Sequence, residues 1–197
     1  LTVIPEISKD DFKNNWHNIV VTYDGLSRKM YYNGQYYNGD CPGTIHITHG
    51  SFNIGNTVYA NASSGADLAA SKKYKGIMDS LEIYNCSLNS DYISQVYLTK
   101  TLPLNIPIAN NLTNSSSIYT NGDGTNVNTV TFTVGHDGTA NGAASLNGTD
   151  QYISFANDTA VDYSKNLTLS LWFKRTSANL FGKTLISKGY HNEFELS

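Results

Sequence analysis

Short runs of β-branched and aromatic residues, repeated along the chain, constrain what this sequence can fold into. Residues 16–23 (WHNIVVTY) form one such run. Within residues 29–37, Asn33-Gly34 separates two tyrosine-rich runs, and this dipeptide between strand-like segments is a strong signal for a β-hairpin. Residues 167–174 (LTLSLWFK) alternate so that their apolar side chains share one face. These patterns predict a mainly antiparallel β-protein.

The remaining segments add further strands and one helix. Additional strands are predicted at residues 52–55, 77–84, 129–134, 151–155, 185–186 and 194–196. In the second of these, alternation predicts that Ile77, Asp79, Leu81 and Ile83 point to one side. A short helix is predicted from Ser90 and Asp91, which offer capping chemistry, to about Lys100. Residues 110–128 are polar and predict an extended loop or linker, and both tryptophans, Trp16 and Trp172, are predicted to lie in the core.

Composition restricts the class of protein and its partners. The 197 residues are 40% hydrophobic and 15% charged, with a net charge of −3 and no basic stripe. A chain of this size can bury one core, and without clustered Lys and Arg we expect no nucleic-acid partner. No apolar run predicts membrane insertion. The richness in Asn, Ser, Thr, Gly and Tyr is typical of an extracellular or cell-surface β-protein, and the start at Leu1 favours a piece cut from a longer chain.

The two cysteines, Cys41 and Cys86, lie in no metal-binding spacing. One interpretation is a disulfide, which would stabilise the fold by about 4 kcal/mol through loop closure. The other is a pair of buried free thiols. The extracellular composition favours the disulfide.

Four segments of the first hundred residues carry a family pattern, in the order WHNIVVTYDG (residues 16–25), YNG (32–34), NIG (53–55) and GIMDSLEIYN (76–85). In that order they resemble the C-terminal half of a laminin-G-like domain of the concanavalin A-like lectin/glucanase superfamily. The first is similar to that branch's W-H-x-[IV]-[AV]-V-T-Y-D-G strand, and the last to its G-x-[IM]-D-x-[VL]-x-[IV]-Y-[ND] closing strand. The other two resemble its hairpin and its x-I-G strand. The predicted helix occupies the place of the family's last helix.

Later segments resemble the N-terminal half of the same domain. Residues 141–153 (NGAASLNGTDQYI) are similar to its G-x-A-x-x-F-[DN]-G-x-[DN]-x-Y-[IV] strand and residues 169–173 (LSLWF) to its [IVL]-S-x-W-[FVI] strand, while residues 102–116 loosely resemble its opening strand. The resemblance therefore implies a two-sheet antiparallel jelly-roll sandwich. Residues 1–100 would form its C-terminal half and residues 101–197 its N-terminal half, together one domain's worth of fold.

Two assemblies account for this order. Either the halves close on each other, giving a circularly permuted domain, or each half is completed by a neighbouring copy. We favour closure within the chain, with the two ends near Leu1 and Ser197 meeting another copy.

The resemblance also implies a calcium ion where the first and last strands meet. Asp79 matches the aspartate of the closing strand, so it is the first candidate ligand. Asp137, in His136-Asp137-Gly138, is the second candidate, and its alternative role is that of a polar turn residue bonding its own backbone.

Catalysis is not expected. Glycan hydrolases of the superfamily need closely placed carboxylates, but Glu193-Phe194-Glu195 lacks the E-x-D-x-x-E pattern, and the five histidines (His17, His46, His49, His136, His191) have no nucleophile context. Tyr32 and Tyr36, in the densest aromatic patch, are the candidate sugar-binding residues, with core packing as the alternative. Seven N-x-[ST] sequons occur, and Asn61, Asn111 and Asn114 lie in the most loop-like surroundings for glycosylation.

Together these patterns predict a non-catalytic extracellular structural or adhesive module, a repeat unit of a self-assembling surface protein or filament. Its expected partners are further copies of itself. The alternative is a carbohydrate-binding lectin-like module that acts as a free domain and takes glycans as partners.

Overall fold

The computed structural model describes residues 13–42, 51–56, 72–84, 86–99, 112, 123–156, 166–176, 183–188 and 194–196. The predicted glycosylation sites Asn61, Asn111 and Asn114 lie outside these described residues.

The described part of the chain contains strands and one helix. The strands are β1 (Trp16–Tyr23), β2 (Ser27–Tyr32), β3 (Gln35–Pro42), β4 (Phe52–Ile54), β5 (Lys75–Tyr84), β6 (Thr125–Val127), β7 (Thr131–Thr133), β8 (Ala143–Asn147), β9 (Tyr152–Phe155), β10 (Leu167–Arg175), β11 (Ile186–Lys188) and β12 (Phe194–Leu196). The helix α1 spans Ser90–Thr99.

The strands form two sheets that face each other as a sandwich. The seven-stranded sheet has the order β3-β2-β1-β10-β5-β8-β7 and the five-stranded sheet the order β12-β11-β4-β9-β6. Every pairing between two of these strands is antiparallel. The predicted all-β, two-sheet antiparallel jelly-roll sandwich is confirmed.

Strands from the first and second halves of the chain are neighbours in both sheets. In the seven-stranded sheet, β10 lies between β1 and β5, and β5 in turn pairs with β8. In the five-stranded sheet, β4 lies between β11 and β9. Residues 1–100 and residues 101–197 therefore share both sheets within one chain. That this order is a circular permutation of a family domain stays a prediction.

The core lies between the sheets and is built from alternate residues of their strands. In β10, Leu167, Leu169, Leu171 and Phe173 all belong to it, as their alternation predicted. Ile54 and Ile153 face them from the five-stranded sheet and are fully buried. Each such side chain contributes about 1.5–3 kcal/mol through burial.

The β2–β3 hairpin turns at Asn33 and Gly34, as predicted. Both residues have positive φ, 48° and 77°, which is the backbone that a two-residue turn of this handedness requires. The Asn33 Oδ1 atom also accepts the backbone N–H of Asn18 at 2.8 Å, which ties the turn to β1.

Helix α1 packs on the outer face of the seven-stranded sheet at β1 and β2. Ile93 packs there against Val20 and Tyr31 in a second, smaller apolar cluster. The helix confirms the prediction, but the side chain that caps it is Asn89, whose Oδ1 accepts the N–H of Tyr92 at 2.8 Å.

The prediction of an extended loop or linker over residues 110–128 is wrong for part of that region. Residues 125–127 form strand β6 and pair with β9. Leu112, the described residue at the other end of this region, is buried in the core, and its carbonyl accepts the N–H of Gly124 at 3.1 Å. Polar composition did not reveal β6 because its three side chains are largely exposed at the sheet edge.

Candidate functional site

A bulge in β5 sets the direction of Asp79. Met78, Leu81 and Ile83 belong to the core, which strict alternation does not allow. Ser80 has φ of 49°, and the pairing with β10 shifts register between Ser170 and Trp172 at this place. The prediction that Asp79 shares a face with Leu81 and Ile83 is therefore wrong. Asp79 lies on the outer face, although it is only 4% exposed.

The loop between β7 and β8, residues 134–142, covers the Asp79 carboxylate. Its Oδ2 atom accepts two hydrogen bonds from His136, one from the backbone N–H at 2.8 Å and one from Nδ1 of the ring at 2.7 Å. Its Oδ1 atom accepts the hydroxyl of Ser80 at 3.0 Å. A Cβ atom at Gly135 would lie 2.6 Å from Asp79 Oδ2, so only glycine allows this close approach.

Asp137 lies beside this pair and shapes the loop. Its two carboxylate oxygens accept the backbone N–H and the hydroxyl of Thr139, each at 2.8 Å. The bond from the Thr139 N–H lowers the pKa of Asp137 below its usual value. Asp137 therefore has the contacts of a polar turn residue, which is the alternative role that the sequence predicts for it.

The structure brings both predicted metal ligands together and adds a third donor. One donor atom each of Asp79, His136 and Asp137 lies within 4.8 Å of the others, and we call these residues the Asp79 cluster. It is the one group of three such side chains among the described residues. Asp79 is buried, His136 half-buried and Asp137 exposed, so the cluster opens at the surface.

Two tryptophans flank the cluster from the outer face of the seven-stranded sheet. The ring of His136 stacks on Trp172 with centroids 4.5 Å apart and meets Trp16 edge-on at 6.2 Å. The Nζ atom of Lys174 lies 5.9 Å from the centre of the Trp16 ring. Both tryptophans are half-buried and outside the core cluster. Their prediction as core residues is wrong because both side chains take the outward positions of their strands.

The donors of the Asp79 cluster do not match calcium well. Calcium takes six to eight oxygen ligands, whereas this cluster offers two carboxylates and an imidazole nitrogen. Calcium binding at Asp79 and Asp137 stays a prediction, although the residues found beside them favour a different ion.

The two candidate sugar-binding tyrosines do not form one surface. Tyr36 is opposite Tyr31 in the hairpin and is 54% exposed, with its ring edge-on to that of Tyr31 at 5.6 Å. Tyr32 points to the other face, where its hydroxyl bonds Nδ1 of His17 and its ring stacks on the same imidazole. Neither tyrosine lies in the Asp79 cluster.

The cysteines are only partly described. Cys86 is an exposed free thiol, and the side chain of Cys41 lies outside the described part of the chain. A free thiol at Cys86 contradicts the predicted disulfide with Cys41, and its exposure contradicts the alternative of two buried thiols.

His136 is the site residue that sequence reasoning missed. In the sequence it is one of five scattered histidines, and its partner Asp79 is 57 positions away. The one local signal was its place next to Asp137 in a turn segment. The contact itself depends on the pairing of β5 with β8, which no short motif contains.

The two-sheet jelly roll is found in lectin domains and also in other classes of protein. Residues 7–94 match the model of a laminin G family described as part of the concanavalin A-like lectin/glucanases superfamily. The match covers 88 of the 197 residues, and it confirms the resemblance of the first hundred residues to that superfamily. The resemblance of the later segments to the N-terminal half of such a domain stays a prediction. Searches of curated proteins and of solved structures gave no match. No helix in the described ranges is long and apolar enough to cross a membrane.

Proposed function

We propose that this protein is a non-catalytic, extracellular, lectin-like adhesive module that binds glycans at the outer face of its seven-stranded sheet. The superfamily match supports a lectin-like or adhesive module in general, and laminin G-like domains are typically extracellular. The low fraction of charged residues agrees with that location.

The observation that carries the proposal is the pair of outward-facing tryptophans beside the Asp79 cluster. Aromatic rings offer an apolar surface to the C–H face of a sugar, and neighbouring carboxylates accept its hydroxyl protons. One face of the Trp172 ring is stacked on His136, so Trp16, which meets His136 only edge-on, is the ring that we expect to contact the sugar. Asp137 supplies an exposed carboxylate in the neighbouring Asp79 cluster. Tyr36 offers one exposed ring, whereas at the tryptophans an aromatic ring and a carboxylate lie together, so we place the sugar there.

A glycan array tests this proposal. Trp16→Ala is expected to weaken binding to the selected glycan by about tenfold or more, since one aromatic contact is lost. Tyr36→Ala is the matched control and should bind as the unchanged protein does. Failure to bind any glycan, or the reverse order of the two variants, would contradict the proposal.

A second candidate function is that of a self-associating structural unit. Strand β12 forms an edge of the five-stranded sheet and pairs with β11 alone among the described strands. An open edge of this kind can add a strand from another copy. Sedimentation velocity over a wide concentration range would show larger species if the edge is used, whereas a single monomeric species throughout would exclude it.

A further inference from the structure

We infer that Asp79, His136 and Asp137 bind a transition-metal dication of the zinc class in preference to calcium. The inference concerns the chemistry of the Asp79 cluster alone and does not depend on glycan binding. It departs from the calcium ion that the resemblance implied.

The first argument is the set of donors. Imidazole nitrogen and carboxylate oxygen are ordinary ligands of Zn²⁺ and of its first-row neighbours, whereas calcium and magnesium take oxygen. A site with three protein ligands and one remaining position for water or a ligand oxygen is a common arrangement for Zn²⁺. The Asp79 cluster offers one nitrogen and two carboxylates within 4.8 Å.

The second argument is charge. Two carboxylates lie together, one of them on the 4% exposed Asp79. Burial of a carboxylate is costly unless a positive group or several donors compensate it. Asp79 accepts three hydrogen bonds, from the backbone N–H and ring of His136 and from the hydroxyl of Ser80, so these donors already offset part of this cost. The two negative charges lie close enough together to attract one dication.

The third argument is the shape of the loop. A Cβ atom at Gly135 would lie 2.6 Å from Asp79 Oδ2 and 3.1 Å from Asp137 Oδ1. Gly135 therefore lets the loop approach Asp79 closely, and this approach brings the carboxylates of Asp79 and Asp137 near each other. Nδ1 of His136 lies 2.7 Å from Asp79 Oδ2, so the nitrogen is already beside the same oxygen. Binding the ion through Nδ1 would replace its hydrogen bond to Asp79 Oδ2, and the neutral ring would then carry its proton on Nε2.

Calorimetric titration of the chelator-treated full chain with Zn²⁺, Mn²⁺ and Ca²⁺ chloride tests the inference. One Zn²⁺ per chain is expected, bound at least tenfold more tightly than Ca²⁺. At a hundredfold excess over its dissociation constant, Zn²⁺ should raise Tm by about 5–10 °C.

The variants identify the ligands. Asp137→Asn keeps an acceptor for the Thr139 N–H and should fold, yet it should weaken Zn²⁺ binding at least tenfold. His136→Gln should lose the preference for Zn²⁺ over Ca²⁺. Asp150→Asn, an exposed aspartate in another turn, is the matched control and should bind Zn²⁺ unchanged.

Nitrogen-15 NMR of the imidazoles supplies a readout that a merely structural role would not move. Zn²⁺ should shift the ring nitrogens of one of the five histidines, and His136→Gln should remove that signal. Tighter binding of Ca²⁺ than of Zn²⁺, Zn²⁺ binding unaffected by His136→Gln, or no binding of any dication at millimolar concentration would each overturn the inference.

Discussion

Oδ2 of Asp79 accepts both the backbone N–H and the ring Nδ1 of His136, at 2.8 and 2.7 Å. Asp79 lies on β5 and His136 in the loop between β7 and β8, so one buried oxygen joins the two parts of the chain. The Asp79 cluster exists only because β5 and β8 are neighbours in one sheet.

Asp79→Ala should therefore destabilise the fold even in the absence of metal. Two donors of His136 would lose their charged acceptor under partial burial, which costs about 2–3 kcal/mol. Urea denaturation in the presence of a chelator measures the change. Asp137→Ala is the comparison, with an expected loss below about 1 kcal/mol, since its bonds lie in an exposed turn. Equal losses for the two variants would contradict this account.

Strands and turns with a strong local pattern were the elements most readily predicted from the sequence. β1 and the hairpin at Asn33-Gly34 follow from local pattern and turn chemistry, and both are confirmed. β6 did not follow, because three exposed residues at a sheet edge leave no hydrophobic period.

The site was half predictable from the sequence. Asp79 was found through its match to the closing strand, and Asp137 through its turn. The sheet face to which Asp79 points could not be predicted, because it depends on the positive φ of Ser80. Serine does not indicate a positive φ in a sequence, since it rarely adopts one. His136 required the pairing of distant strands, which local pattern does not encode.

Glu82 on β5 should make stability depend on pH. It is fully buried, its Oε1 has no hydrogen-bond partner among the described residues, and burial raises its pKa from 4.5 to about 8. Between pH 4.5 and about 8, the Glu82 carboxyl keeps its proton in the folded protein and loses it in the unfolded chain. Stability should therefore fall as the pH rises from about 4.5 to about 8, by at most about 1.4 kcal/mol per pH unit, and then level off.

Glu82→Gln tests this pH dependence directly. The variant should be more stable than the unchanged protein, and its advantage should grow with pH up to about 8. Urea denaturation at pH 5.5, 7 and 8.5 measures it, with the exposed Asp150→Asn as control. An advantage that stays constant across this range would disprove the assignment.

Leu171 lies at the centre of β10, between β1 and β5, and is fully buried. Leu171→Ala should cost about 2–5 kcal/mol, through lost burial and the cavity left behind. Leu26→Ala removes the same atoms from a side chain that is 79% exposed, so its effect should stay within about 0.5 kcal/mol. Thermal and urea unfolding compare the pair, and similar values would argue against a core at β10.

Gly34 should be needed for the hairpin turn. Gly34 has a left-handed backbone conformation, with φ of 77°. Alanine is unfavourable in this conformation, so Gly34→Ala should lower the stability of the protein by about 1–2 kcal/mol. Gln35→Ala, at the exposed neighbouring position, should change stability little. The two variants are compared by urea unfolding, and a neutral Gly34→Ala would show that the turn adopts another form.

The central claim is that the two parts of the chain complete each other within a single molecule. An isotope-filtered NOESY spectrum of a 1:1 mixture of labelled and unlabelled protein tests it at Ile19 and Leu171, which are paired across β1 and β10. The contact is expected in uniformly labelled protein and absent from the spectrum that detects only labelled-to-unlabelled contacts. Its appearance in the filtered spectrum would mean that β10 of one chain completes the sheet of another, and the account would be contradicted.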